Sequence, residues 1–111
     1  MSELALTTKR CKPCEGVTEP LTMTEAQLSL KQLEGWQLDD NGKIINRIYR
    51  FKNYYETIAF VNAVAWISHQ ENHHPNLEVS YNYCLVSYTT HAINGLSEND
   101  FICASKVNAL R

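Results

Sequence analysis

Long apolar runs, an excess of basic residues and low-complexity tracts are all missing from this sequence, and each absence closes off a class of protein. No stretch of about 18 apolar residues occurs, so no segment is expected to cross a bilayer as a helix. Lysine and arginine number 10 against 12 acidic residues, which leaves no basic surplus of the kind a nucleic-acid binder carries. The start, Met1-Ser2-Glu3-Leu4-Ala5-Leu6, lacks the basic region and apolar core of a secretory signal, and the expected compartment is the cytoplasm. In that reducing setting Cys11, Cys14, Cys84 and Cys103 are expected to be thiols rather than a disulfide framework.

What is present fits one small globular domain. The chain has 111 residues, 44% of them hydrophobic and 20% charged, enough to bury a core and too few for two. Residues 1–21 form a polar lead with Cys11-Lys12-Pro13-Cys14, Gly16 and Pro20 and no regular periodicity, expected to be a loosely structured arm; residues 22–111 are expected to form the single domain. Thr24 and Gln27 have capping-box spacing ahead of a helix that Gly35 ends. Two strand-like stretches then flank Asp39-Asp40-Asn41-Gly42, a hairpin signal. Asn53 and Glu56 open a long helix with two apolar stripes, Ile58, Val61, Ala65 and Phe60, Val64, Ile67. The second is expected to meet another subunit, because one sheet does not cover both.

Pro75 forces that helix to end near His73 or His74. Alternating residues then give two strands, with a turn expected at Asn82-Tyr83, and Ser97 with Asp100 opens a last helix whose inward stripe is Cys103, Ala104, Val107 and Leu110. The order α-β-β-α-β-β-α predicts an α+β fold, a four-stranded antiparallel sheet with three helices on one face.

The chemistry-bearing residues cluster on this scheme. His69, His73, His74 and His91 are all the histidines of the chain, and imidazole is the side chain that exchanges protons near neutral pH. Antiparallel pairing about residues 82 and 83 puts His91 beside positions 74 and 75, so His73, His74 and His91 are expected to converge at one sheet end. The plainer reading of His73-His74 is a polar helix terminus favoured by the helix dipole. That of Asp100 is the cap alone.

Glu71-Asn72-His73-His74-Pro75, then Tyr81-Asn82, Thr89-Thr90-His91 and Gly95-Leu96-Ser97-Glu98-Asn99-Asp100 closely resemble the pterin-4a-carbinolamine dehydratases, from about Leu21 to the C-terminus. The resemblance implies a homodimer or homotetramer with the sheet continued across a subunit boundary. It implies loss of water from 4a-hydroxytetrahydropterin, giving the quinonoid dihydropterin and recycling the pterin of an aromatic amino-acid hydroxylase, with no metal or organic cofactor. His73 and His91 are then the acid/base pair, His74 an orienter or proton partner, and Asp100 a support for an imidazole. Asn72, Thr89 and Thr90 join the three histidines in contacting the pterin. The chain departs from the family pattern at His69, Asn72 and Ala92.

Two other readings stay open. His69 and His73 lie four apart on one helix face and, with His91, make a zinc-like set. The protein is alternatively a non-enzymatic dimerisation or stabilising partner of another protein, since fold alone does not decide function. Cys11-Lys12-Pro13-Cys14 is a single half-site for a metal, or a redox pair without the strand-to-helix setting such pairs use.

Overall fold

Local capping and turn chemistry decide where the elements begin and end. In the computed structural model, which describes residues 3–12 and 19–111, the order is α1 (Glu3–Thr8), α2 (Met23–Leu30), β1 (Gln37–Leu38), β2 (Ile45–Arg50), α3 (Tyr54–Glu71), β3 (Asn76–Val79), β4 (Tyr83–Tyr88) and α4 (Glu98–Asn108), with a 3-10 turn at His91–Ile93 before α4. The sheet is antiparallel throughout, in the spatial order β1-β2-β4-β3. The α+β architecture therefore stands as expected.

Alternation along the strands sorts the sheet into two faces. Ile45, Tyr49, Cys84, Val86 and Tyr88 are buried on one of them, whereas Ile48 is about half exposed. Phe60, Val64 and Ile67 of α3 and Phe101, Ile102, Cys103, Ala104 and Val107 of α4 complete the core. Each large apolar side chain buried in this way contributes roughly 1.5–3 kcal/mol. The stripe Phe60, Val64, Ile67, expected against another subunit, is thus the one that packs inward. Ile58 and Val61 are half-buried and Ala65 exposed on the outward side.

Three boundaries differ from the sequence reading. Thr22, not Thr24, caps α2: its backbone is still extended, at φ −70 and ψ 164, its N–H donates to Glu25 Oε1 at 2.8 Å, and its hydroxyl accepts from the Glu25 N–H at 3.2 Å. Thr24 already lies in the first turn. The helix closes at Leu30, ahead of Gly35, which takes φ +85 in the loop that follows. The third difference is register. Asn76 pairs with Ser87 and Val79 with Cys84, so the hairpin turns at Tyr81-Asn82 rather than Asn82-Tyr83, closed by the Ser80 N–H to the Tyr83 carbonyl at 2.9 Å.

The lead is not a loose arm over its described residues. Helix α1 packs on α4, Leu6 enters the core at 2% exposure, and Lys106 Nζ donates to the Thr7 carbonyl at 2.7 Å. An apolar outer face on α4 left no other cover: Asn99 through Ser105 are buried without a break. Six helical residues carry too little periodicity to read. Cys14 and Gly16 lie outside the described residues; Pro20 is held against Gly95, where an added Cβ would meet Pro20 Cβ at 2.6 Å.

Candidate active site

Two helix ends meet at the open end of β4, and the site is built where they do. Helix α3 closes on Asn72, which takes the left-handed conformation at φ 52 and ψ 42. Asparagine tolerates that region because its short polar side chain carries little steric penalty there. The His73 N–H returns to the Ser68 carbonyl at 3.1 Å, the 6→1 bond of a Schellman ending. The backbone of His73 is thereby fixed before its side chain makes any contact.

From the other side, α4 starts at Ser97, whose N–H donates to Asp100 Oδ2 at 2.9 Å. Asp100 is wholly buried. Its Oδ2 also accepts from the Thr90 hydroxyl at 2.8 Å, and Thr90 Oγ1 lies 2.8 Å from Ser97 Oγ. The remaining oxygen, Oδ1, is 2.6 Å from His73 Nε2. A buried carboxylate without donors would be costly; here both oxygens are engaged. A carboxylate only accepts, so Nε2 is the donor of this contact.

Tyr88 backs the His73 ring from the core. Its ring lies 5.8 Å from the His73 ring, tilted by only 13°, and burial first, then the nearby Cys103 and Cys11 thiols, push its phenol well above the ordinary value of 10.0. The stacking partner of His73 is consequently a neutral ring.

His91 opens the 3-10 turn that follows Thr90. Thr90 and Gly95 bridge at its base, with Thr90 N to Gly95 O at 2.8 Å, and Asn94 at φ 52 closes it. Thr89 is tied to the turn ahead of β2 through its hydroxyl, which donates to the Lys43 carbonyl at 2.6 Å. Asn72, His73, His74, Thr89, Thr90, His91 and Ala92 line one pocket of about 150 Å³.

The structure thus brings together His73, His74 and His91 with Asn72, Thr89 and Thr90, and sets Asp100 behind His73. His73 is buried, while His74 and His91 are exposed at the rim. The convergence does not come from the expected pairing of His91 with positions 74 and 75: β4 ends at Tyr88, and the turn after Thr90 carries His91 in. His69 stays outside, its ring 5.6 Å from that of Trp66. Among the described residues no three His, Cys, Asp or Glu side chains are placed so that they could hold a metal ion, so the His69, His73, His91 set is not assembled.

Sequence reading missed the roles of Ser97, Tyr88 and Glu71. Ser97 was visible only as a cap, and Tyr88 carries no signal beyond its place in the alternation of the last strand. Glu71 is buried at the end of α3, where it accepts from the Cys11 N–H at 2.8 Å and from Arg10 Nε at 2.9 Å. Nothing local marks it, because its partners come from the lead.

A buried imidazole held by a carboxylate, with two further imidazoles at the mouth of a small pocket, is an arrangement able to exchange protons, set in an α+β protein. The family model for pterin 4 alpha carbinolamine dehydratase matches residues 19–110, and the chain belongs to that family. A protein of Nitrosomonas eutropha, to which the name pterin-4-alpha-carbinolamine dehydratase is given provisionally, is 65% identical over 106 residues, 95% of this chain and 92% of that one. A Legionella pneumophila protein with the same provisional name is 52% identical over 106 residues, 95% and 94% of the two chains. The crystal structure of a transcriptional coactivator/pterin dehydratase from Brucella melitensis superposes with a TM-score of 0.79 at 34% identity, covering 83% of this chain and 98% of that one. A pterin dehydratase-like RuBisCO assembly factor of the alpha-carboxysome shares the fold, with a TM-score of 0.61 at 24% identity over 69% of this chain and 89% of that one.

Proposed function

We propose that this protein is a hydro-lyase that removes water from 4a-hydroxytetrahydropterin to give the quinonoid dihydropterin, serving an aromatic amino-acid hydroxylase. The observation that carries the reading is the single pocket lined by His73, His74 and His91, with Asp100 holding His73. Hydroxide leaves C4a poorly, so one imidazole protonates the hydroxyl as the C–O bond breaks, and another takes the N5 proton as the N5=C4a double bond forms. His73 and His91 share these two roles. His74 orients the same substrate edge. Neither a metal nor an organic cofactor has a part in the step.

The protein works as a homodimer or homotetramer in this reading. Two surfaces support it: among the described residues β3, at the end of the sheet, pairs with β4 alone, and α3 turns Tyr54, Tyr55 and Trp66 outward at 48, 81 and 60% exposure. A second reading, a partner protein without enzymatic function, is favoured by the coactivator named for the Brucella melitensis relative. The deciding assay lets an aromatic hydroxylase generate the carbinolamine and follows its decay. Acceleration by this protein supports the dehydratase, and decay at the uncatalysed rate rejects it.

A further inference from the structure

Two thiols that dehydration does not use lie against one another where the lead crosses α4. Cys11 Sγ is 3.4 Å from Cys103 Sγ and 3.6 Å from the Asn99 carbonyl oxygen. A disulfide needs an S–S separation of about 2.05 Å, so a movement of roughly 1.3 Å closes the gap. Cys11 sits in the irregular segment after α1, held through its N–H by Glu71, and Cys103 is on α4, so the closure falls to rotation of the two side chains.

The two sulfurs are not equivalent. Cys11 is half-buried and lines a cavity of about 240 Å³ with Arg10, Lys12, Gln70, Glu71 and Asn72, whereas Cys103 is wholly buried. A small oxidant entering the cavity meets Cys11 before the buried Cys103, among Arg10, Lys12 and the Glu71 carboxylate that pairs with Arg10. Cys103 is reached only through Cys11. Its hydrogen bond with Cys11, followed by burial, holds its thiol above the ordinary value of 9.0.

We propose that Cys11 and Cys103 form a peroxide-responsive dithiol, in which Cys11 is oxidised first and Cys103 resolves it. Cys11 sulfur attacks hydrogen peroxide, the O–O bond breaks, and Cys11 becomes a sulfenic acid with release of one water. Cys103 sulfur then attacks Cys11 sulfur. The S–S bond forms, the S–O bond breaks, and the hydroxide leaves with the Cys103 proton as a second water. Peroxide gains two electrons and the dithiol loses two.

The bond joins positions 92 apart in the chain, a long closure that constrains the unfolded chain strongly. It also clamps the lead at the margin of the pocket: the Cys11 N–H is bonded to Glu71, and Lys12 is bonded through both backbone groups to Asn99, the neighbour of Asp100.

The test is peptide mapping by mass spectrometry of the intact protein after treatment with hydrogen peroxide, without reductant, and it does not depend on activity. Expected is a linked pair of peptides containing Cys11 and Cys103, two hydrogens lighter than their sum and separated by dithiothreitol, with a higher thermal midpoint than the reduced protein. Cys14→Ser is expected to leave the link in place, and Cys103→Ser to leave a Cys11 sulfenic acid that dimedone traps. A Cys11 to Cys14 link in the wild type, or Cys11 carried to sulfinic acid with no link, overturns the proposal.

Discussion

His73 Nε2 and Asp100 Oδ1 lie 2.6 Å apart although 27 positions separate them in the chain. The contact exists because one helix ends and another begins at the same place. Asn72 turns the chain out of α3 so that His73 faces inward, and the capping box of α4 holds the Asp100 carboxylate at the end of β4. Capping and imidazole support are therefore not competing explanations of Asp100: Oδ2 serves the helix start and Oδ1 serves the histidine.

Asp100→Asn is expected to separate these roles. The amide oxygen can still accept from the Ser97 N–H and the Thr90 hydroxyl, but the amide nitrogen then faces His73 and requires the other tautomer. The dehydration rate is expected to fall roughly 10²-fold, the scale of a misplaced general acid or base, with the fold retained. Steady-state kinetics beside a thermal melt checks this; a rate equal to wild type would remove Asp100 from the mechanism. Asp100→Ala, which leaves the buried His73, Thr90 and Ser97 donors without their acceptor, is expected to cost roughly 1–3 kcal/mol of stability.

His91→Ala tests the rim. The side chain is exposed on a short turn outside the core, so its loss is expected to change stability by no more than about 0.5 kcal/mol. The rate is expected to drop roughly 10²-fold if His91 is one of the acid/base pair. His73→Ala is expected to lose activity and stability together, because that ring is buried against Tyr88 and Asp100. Urea unfolding of both variants measures the contrast.

These residues also show what the sequence made legible. The strands, the Asn53 cap of α3 and the Ser97 start of α4 rest on local signals, and they appear where alternation and capping spacing put them. The Thr22 cap was missed because Thr24 offers a similar spacing two residues later, and only backbone conformation separates the two. His91 reaches the pocket by a 3-10 turn stabilised by the Thr90 to Gly95 bridge, which no periodicity announces. The lead was the largest omission. Its place depends on contacts with Glu71, Asn99 and Lys106, all distant in the chain, and long-range contacts of this kind leave no local pattern.

Alkaline pH is expected to weaken the fold through Cys84. Burial pushes its thiol from the ordinary 9.0 up to about 11. Below pH 9 the thiol is protonated in both folded and unfolded chains, and its contribution is whole. Between pH 9 and about 11 the unfolded chain ionises and the folded chain does not, so stability falls as pH rises. Tyr88, raised by burial, and Cys103, raised by its hydrogen bond with Cys11 and then by burial, add to the same slope. Unfolding free energy measured across this range is expected to decline, and to decline less steeply in Cys84→Ala after allowance for a constant offset. An equal slope in the variant would deny Cys84 its part.

Asn72 lines the pocket, but its backbone accounts for its presence there. At φ 52 and ψ 42 it ends α3 and delivers His73; glycine takes that conformation freely, while a β-branched residue meets a penalty of roughly 1–2 kcal/mol. Asn72→Gly is accordingly expected to keep both stability and the rate of dehydration near wild type. Asn72→Val is expected to lose about that penalty in stability. It is also expected to slow the reaction, because relaxing the strain shifts the His73 N–H from the Ser68 carbonyl, 3.1 Å away. The pair of variants separates a conformational role from a side-chain contact. If Asn72→Gly matches Asn72→Val in lost rate while its melt stays at the wild-type midpoint, the asparagine amide itself binds substrate.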